Sequence, residues 1–178
     1  HWHNGKITKA LLAQNIEVII ENLNLQERAN STTKFLMVPT KEAGSEAVLS
    51  GEKMSQFFAL YVVENFDEAV ATAMKVQNYQ GAGHSIGLHS YDEKRAHHLA
   101  MVAKTCRVIV NQAHCFATGG FFNNGLPFSL SMGCGSWGRN SIDDNLNWTH
   151  FVNKVKIVRV IEEDIPKLDD IFREFWNR

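Results

Sequence analysis

No stretch of this chain stays apolar for the roughly 18–20 residues that a membrane-crossing helix requires. The longest candidate, Ile16–Ile20, is broken by Glu17 and followed by Glu21 and Asn22. No basic-then-apolar leader with a small-residue cleavage site opens the chain, and its first residue is His1 rather than Met. It reads as a segment of a longer protein. Neither sign of charge prevails, with 18 Lys and Arg against 19 Asp and Glu and a formal net charge of −1. Without a basic excess there is no electrostatic case for nucleic acid or an anionic membrane as partner. Cysteine is scarce and odd in number, Cys106, Cys115 and Cys134, with no C-x-x-C pair. That argues against a zinc ribbon or a thioredoxin-type redox motif. Free thiols fit a reducing, cytoplasmic setting. His1 and His3 lack a third ligand nearby, so no metal site is expected. Internal repeats, low-complexity tracts and a G-x-x-x-x-G-K-[ST] phosphate loop are also missing.

What remains is an ordinary globular composition, 44% apolar and 21% charged over 178 residues, enough for one domain or a large piece of one. Ile16, Ile19, Ile20 and Leu23 repeat at i, i+3, i+4, i+7, which predicts a helix capped by Asn15. Lys34–Val38 has strand length and is stopped by Pro39. Phe57–Val63 is apolar throughout, as expected of a strand covered on both faces. A helix capped by Asp67 follows, then a strand over Ser85–Ser90, a helix capped by Asp92, and a strand over Arg107–Asn111. Strand, helix, strand, helix, strand with short connections predicts an α/β fold with a mainly parallel sheet and flanking helices. Further on, Ile142–Asn153 is amphipathic. Lys156–Ile161 alternates as an edge or intersubunit strand would, and Asp164 with Pro166 predicts a last helix carrying Leu168, Ile171, Phe172 and Phe175.

Six of the twelve glycines fall between Gly119 and Gly138. They share that stretch with Phe121, Phe122, Phe128 and Trp137, unlike a solvated linker. Such a loop is either a tight connection over the core or a wall of a binding site. His84 in G-A-G-H-S is a candidate acid or base, or a histidine satisfying a backbone carbonyl. Glu52 in S-G-E-K is a candidate ligand-facing carboxylate or a solvated loop residue. Cys134 in G-C-G is an open nucleophile or a small thiol packed where only small residues fit. The residues by themselves stop at an enzyme-like α/β piece without a complete catalytic set.

Five motifs taken together resemble a family: S-G-E-K-M-S (50–55), G-A-G-H-S-I-G-L-H-S (81–90), R-V-I-V-N-Q (107–112), N-G-L-P-F-S-L-S-M-G-C-G-S-W-G (124–138) and N-W-T-H-F-V-N (147–153). In this order they resemble the acylating branch of the aldehyde dehydrogenase superfamily, which makes acyl-CoA from an aldehyde, coenzyme A and NAD or NADP. N-Q-A-H-C-F-A-T-G-G (111–120) is most similar to members acting on sulfoacetaldehyde. The alternatives are a member acting on acetaldehyde, or a non-catalytic domain that binds a partner through its apolar edge strand. The resemblance implies that residues 1–154 are the later part of the catalytic domain. Residues 155–178 would be an oligomerisation strand and C-terminal helix serving a homodimer or homotetramer. It places the nucleophilic cysteine upstream of His1, where it would hold the aldehyde as a thiohemiacetal, and gives none of the three cysteines present that role. It assigns Glu52 to the nicotinamide ribose, His84 to catalysis as a base around thiol and thioester steps, and Asn111, Gln112, Phe128 and Arg139 to the substrate and CoA walls. Arg139 departs from the glycine usual after W-G and suits an anionic group. Gln56 departs from a usual proline.

Overall fold

The computed structural model describes residues 2–3 and 6–176, so His1 of the terminal histidine pair lies outside the described residues. The chain falls into two units, His1–Asn147 and Trp148–Arg178. The first opens with a short antiparallel pair, β1 (Trp2–His3) and β2 (Lys6–Ile7), followed by α1 (Ile16–Asn22). Ile16 and Ile19 of α1 are buried, as the apolar stripe predicts, although the Asn15 side chain makes no capping hydrogen bond.

Two parallel pairs carry the rest of the unit. β3 (Leu36–Pro39) lies beside β4 (Phe57–Leu60) in the register Leu36↔Phe57 to Pro39↔Leu60. β5 (Ile86–Leu88) lies beside β6 (Val108–Val110), Ile86 opposite Val108. Pro39 is therefore the last residue of β3 rather than the residue beyond it, a position where a missing N–H disturbs no interior ladder. The helix after β4, α2 (Phe66–Tyr79), and the crossover helix α3 (Glu93–Val102) bury Val70, Leu99 and Ala103 in one cluster. Phe66, Met74, Ile86, Leu88 and Val108 pack against it. These are the expected strand–helix alternations, in small parallel sheets.

Two local expectations are corrected. Asn65, not Asp67, caps α2: it is the extended residue just before the helix, and its side chain accepts from the Glu68 N–H at 2.9 Å. Asp67 sits in the first turn, where its charge suits the helix dipole. The strand predicted over Phe57–Val63 pairs only as far as Leu60, and Val62 is 83% exposed. Phe57 is buried and Ala59 half-buried while Phe58 and Leu60 are exposed, so one face of β4 lacks the covering layer its composition suggests. Asp92 caps α3 as predicted, accepting from the Lys94 N–H at 3.0 Å.

The second unit holds a 3-10 turn at Trp148–Phe151 and α5 (Leu168–Trp176). Lys167 supplies the first accepting carbonyl of α5, to the N–H groups of Asp170 and Ile171, so the helix begins after Pro166 rather than at Asp164. Lys156–Ile161 pairs with no described strand of this chain, and Val155, Ile157, Val158, Val160 and Ile161 are exposed. No described helix is long and apolar enough to cross a membrane.

Candidate active site

Each half of the candidate site is built by a turn tied down at several points. In S-G-E-K the buried Ser50 hydroxyl accepts from the Gly44 N–H at 2.9 Å and shares a hydrogen bond with the Tyr61 hydroxyl at 2.9 Å. Two residues on, the Glu52 N–H donates to the Gln80 side-chain carbonyl at 2.6 Å, which fastens the motif to the C-terminal end of α2. The Glu52 side chain is exposed, and its carboxylate has no hydrogen-bond partner among the described residues. Lys53 folds back, its ammonium donating to the Gly51 carbonyl at 3.0 Å. Burial holds that ammonium below its usual pKa.

The G-A-G-H turn is held more tightly still. Gly83 has φ +90°, and a Cβ there would stand 2.9 Å from both the carbonyl carbon and the Cβ of Cys134, nearer still to the carbonyl oxygen. Only glycine satisfies both the backbone and the contact. The Gly83 N–H donates to Lys104, its carbonyl accepts from Cys106, and Arg107 donates through Nη1 to the His84 carbonyl at 3.1 Å. The His84 ring is thereby set at the start of β5, half-buried.

Glu52 and His84 line one cleft of about 630 Å³. Tyr61 and Val63 just beyond β4 form one wall, Ser85 and Ile86 another, and the Val76–Gln80 end of α2 runs along it. His114, on the short helix α4 (His114–Ala117), completes it. The His84 Nδ1 lies 2.6 Å from the Ser85 hydroxyl, and that hydroxyl lies 2.8 Å from His114 Nε2. Burial first, and then the neighbouring His84, push His114 below the usual histidine pKa. Both effects favour its neutral imidazole form. Neither Ser85 nor His114 stands out in the sequence, because 29 residues separate them and only the parallel pairing of β5 with β6 joins them. The one readable signal is His114 at the end of the short N-Q-A-H connection that follows β6.

The other expected site residues lie elsewhere. Asn111 (φ +53°) spends its amide on Ser90, accepting from the Ser90 N–H at 2.9 Å and donating to its carbonyl at 2.7 Å. Gln112 accepts from Asn124 at 3.0 Å and borders two smaller recesses, of about 290 and 240 Å³, the second shared with Asn111. Phe128 is exposed and contacts Phe122, centroids 5.1 Å apart. Arg139 is exposed, with φ +57° at the end of the Ser136–Gly138 turn. No residue of the glycine-rich stretch lines the 630 Å³ cleft. The stretch backs the His84 turn instead, through Cys134 against Gly83 and Gly138. None of the three cysteines lines the cleft either. Burial raises the Cys106 thiol pKa, with neighbouring Asp143 and Cys134 acting the same way and Arg107 opposing. That is the wrong direction for a thiolate nucleophile.

No family model matches the chain. Comparison with characterised proteins is decisive nonetheless. A sulfoacetaldehyde dehydrogenase (acylating) of Cupriavidus necator is 41% identical over 177 residues, spanning 99% of this chain and 36% of that protein. The chain belongs to the acylating aldehyde dehydrogenase family. A succinate-semialdehyde dehydrogenase (acetylating) of Clostridium kluyveri is 34% identical over 172 residues, 96% of this chain and 37% of that one. In three dimensions an acetylating aldehyde dehydrogenase from Geobacillus thermoglucosidasius superposes with a TM-score of 0.80 at 30% identity, over 93% of this chain and 36% of its own. The chain thus spans about a third of the length of the acylating aldehyde dehydrogenases it matches.

Proposed function

We propose that this chain is the ribose-holding and proton-handling segment of a CoA-acylating, NAD- or NADP-dependent aldehyde dehydrogenase that converts sulfoacetaldehyde to its acyl-CoA. The observation that supports this most is the opening of Glu52 and His84 onto a single cleft. A carboxylate without a protein partner is an acceptor for two hydroxyl donors, which is the chemistry a ribose diol needs. Bound NAD or NADP supplies the hydride acceptor for aldehyde oxidation. Across the cleft, His84 takes the proton from a thiol as its sulfur attacks, coenzyme A included, and returns it as the thiolate leaves.

The substrate assignment rests on the 41% identity to the sulfoacetaldehyde enzyme. Self-association through Lys156–Ile161, whose apolar side chains are exposed, and a cytoplasmic setting belong to the same proposal. The test is NADH or NADPH formation by the complete enzyme. Reduction that requires both CoA and an aldehyde, with higher kcat/KM for sulfoacetaldehyde than acetaldehyde, is expected. A preference for acetaldehyde favours the acetaldehyde reading, and no reduction with either removes the proposal. The 178-residue chain alone is expected to be inactive.

A further inference from the structure

We infer that Ser85 and His114 are positioning residues, acting together through a hydroxyl bridge to hold His84 in the tautomer that leaves its Nε2 open to the cleft. The inference rests on the reading of His84 as the base and deepens it. Three atoms carry the argument: His84 Nδ1, Ser85 Oγ at 2.6 Å, and His114 Nε2 at 2.8 Å from that oxygen. A hydroxyl has a single proton, so the bridge has one consistent direction at a time. With a neutral His114 accepting at Nε2, the Ser85 O–H points to it, and the Ser85 oxygen must accept from His84 Nδ1–H. The second nitrogen of His84, Nε2, then carries a lone pair. When a thiol S–H bond breaks and its proton reaches Nε2, no proton has to move along the bridge.

A second observation stands apart from the hydrogen bonds. A Cβ on Gly87 would fall 2.7 Å from His114 Nδ1. The glycine in the middle of β5 clears the space in which the His114 ring reaches Ser85. Burial, then the charge of His84, disfavours protonation of His114, which leaves one of its two ring nitrogens an acceptor. In the proposed bridge the ring proton sits on Nδ1, so that Nε2 accepts from Ser85. The charged and titratable groups facing His84 are His114 through Ser85, Arg107 on its backbone carbonyl, and Glu52 and Tyr61 in the same cleft.

The experiment uses the complete enzyme and measures kcat and kcat/KM against pH for four variants. His84→Ala tests the reading underneath: unchanged kcat removes that reading and this inference with it. Given an impaired His84→Ala, Ser85→Ala and His114→Leu are expected to lower kcat about tenfold, the scale of one net hydrogen bond. KM for the nicotinamide cofactor stays unchanged. The acid limb of kcat/KM moves to lower pH in Ser85→Ala, because His84 loses the acceptor that stabilises its charged form. It moves less in His114→Leu, where the Ser85 oxygen remains but is no longer oriented by His114. His114→Gln, whose carbonyl still accepts from Ser85, restores most of the rate. Unchanged kcat and an unmoved acid limb in Ser85→Ala and His114→Leu overturn the inference. Ser85→Ala removes one buttressing oxygen only, and it decides the matter if the His114 variants do not fold.

Discussion

Arg107 and Asn145, 38 positions apart, meet with Nε donating to Oδ1 at 2.8 Å, and they are 4% and 0% exposed. The pair is the clamp between β6 and the far side of the glycine-rich stretch. Arg107 also donates to the carbonyls of His84 and Gly133, while the Asn145 amide donates to those of Thr118 and Pro127. A buried guanidinium with no carboxylate bonded to it is tolerable only when carbonyl oxygens replace water around it.

Asn145→Ala takes one acceptor from that guanidinium and leaves two carbonyls without their donors. A loss of about 2–4 kcal/mol is expected, from the cost of unsatisfied buried groups. Chemical denaturation of wild type and variant measures it, and a midpoint within error of wild type would contradict the clamp.

The glycines separate into those that space requires and those it does not. Gly83→Ala combines φ +90° with a Cβ driven into the Cys134 carbonyl, so loss of soluble folded protein is expected. At Gly125 a Cβ meets nothing within 4 Å and the backbone is not left-handed, so Gly125→Ala is expected to be neutral. Soluble yield of the two variants, with a thermal melt of Gly125→Ala against wild type, distinguishes them.

How much of this was legible in the chain depends on how local each feature is. The stripe of Ile16 and Ile19, the Asp92 cap and the β5–α3–β6 alternation are written in spacings of a few residues, and they stand in the structure. The exposure of Val62 depends on what lies beside β4 in space, which its own residues do not encode. Glu52 and His84 are candidates on the residues alone, and the motif resemblance gives them roles. Their shared cleft follows from the end of α2 reaching the first through Gln80 and running along the wall beside the second. His114 escaped notice because its partner Ser85 lies 29 residues away, just ahead of β5. The resemblance gives Phe128 and Arg139 to the substrate and CoA walls; neither lines the 630 Å³ cleft of this chain, and their loop packs behind the His84 turn.

His114 also gives stability a pH dependence. Its folded pKa lies below the ordinary 6.5, so between the two values the unfolded chain binds a proton that the folded chain refuses. The stabilisation is complete above 6.5 and is lost as pH falls through the folded value. From about pH 7.5 to 5.5 the wild type is expected to lose unfolding free energy relative to His114→Gln, which has no group to protonate there. Parallel curves would contradict a depressed pKa.

Thiol reactivity should follow exposure. Cys115 is exposed on α4, whereas burial raises the pKa of Cys106. Alkylation followed by mass spectrometry is expected to label Cys115 first and Cys106 slowly. Equal rates would contradict the placement.

The central claim is that Glu52 and His84 serve one reaction from one cleft, and steady-state kinetics of Glu52→Gln in the complete enzyme tests it most directly. Loss of a charged acceptor for ribose hydroxyls is expected to raise KM for NAD or NADP about tenfold or more, while KM for coenzyme A changes little. A KM for the nicotinamide cofactor equal to that of the wild type would contradict it.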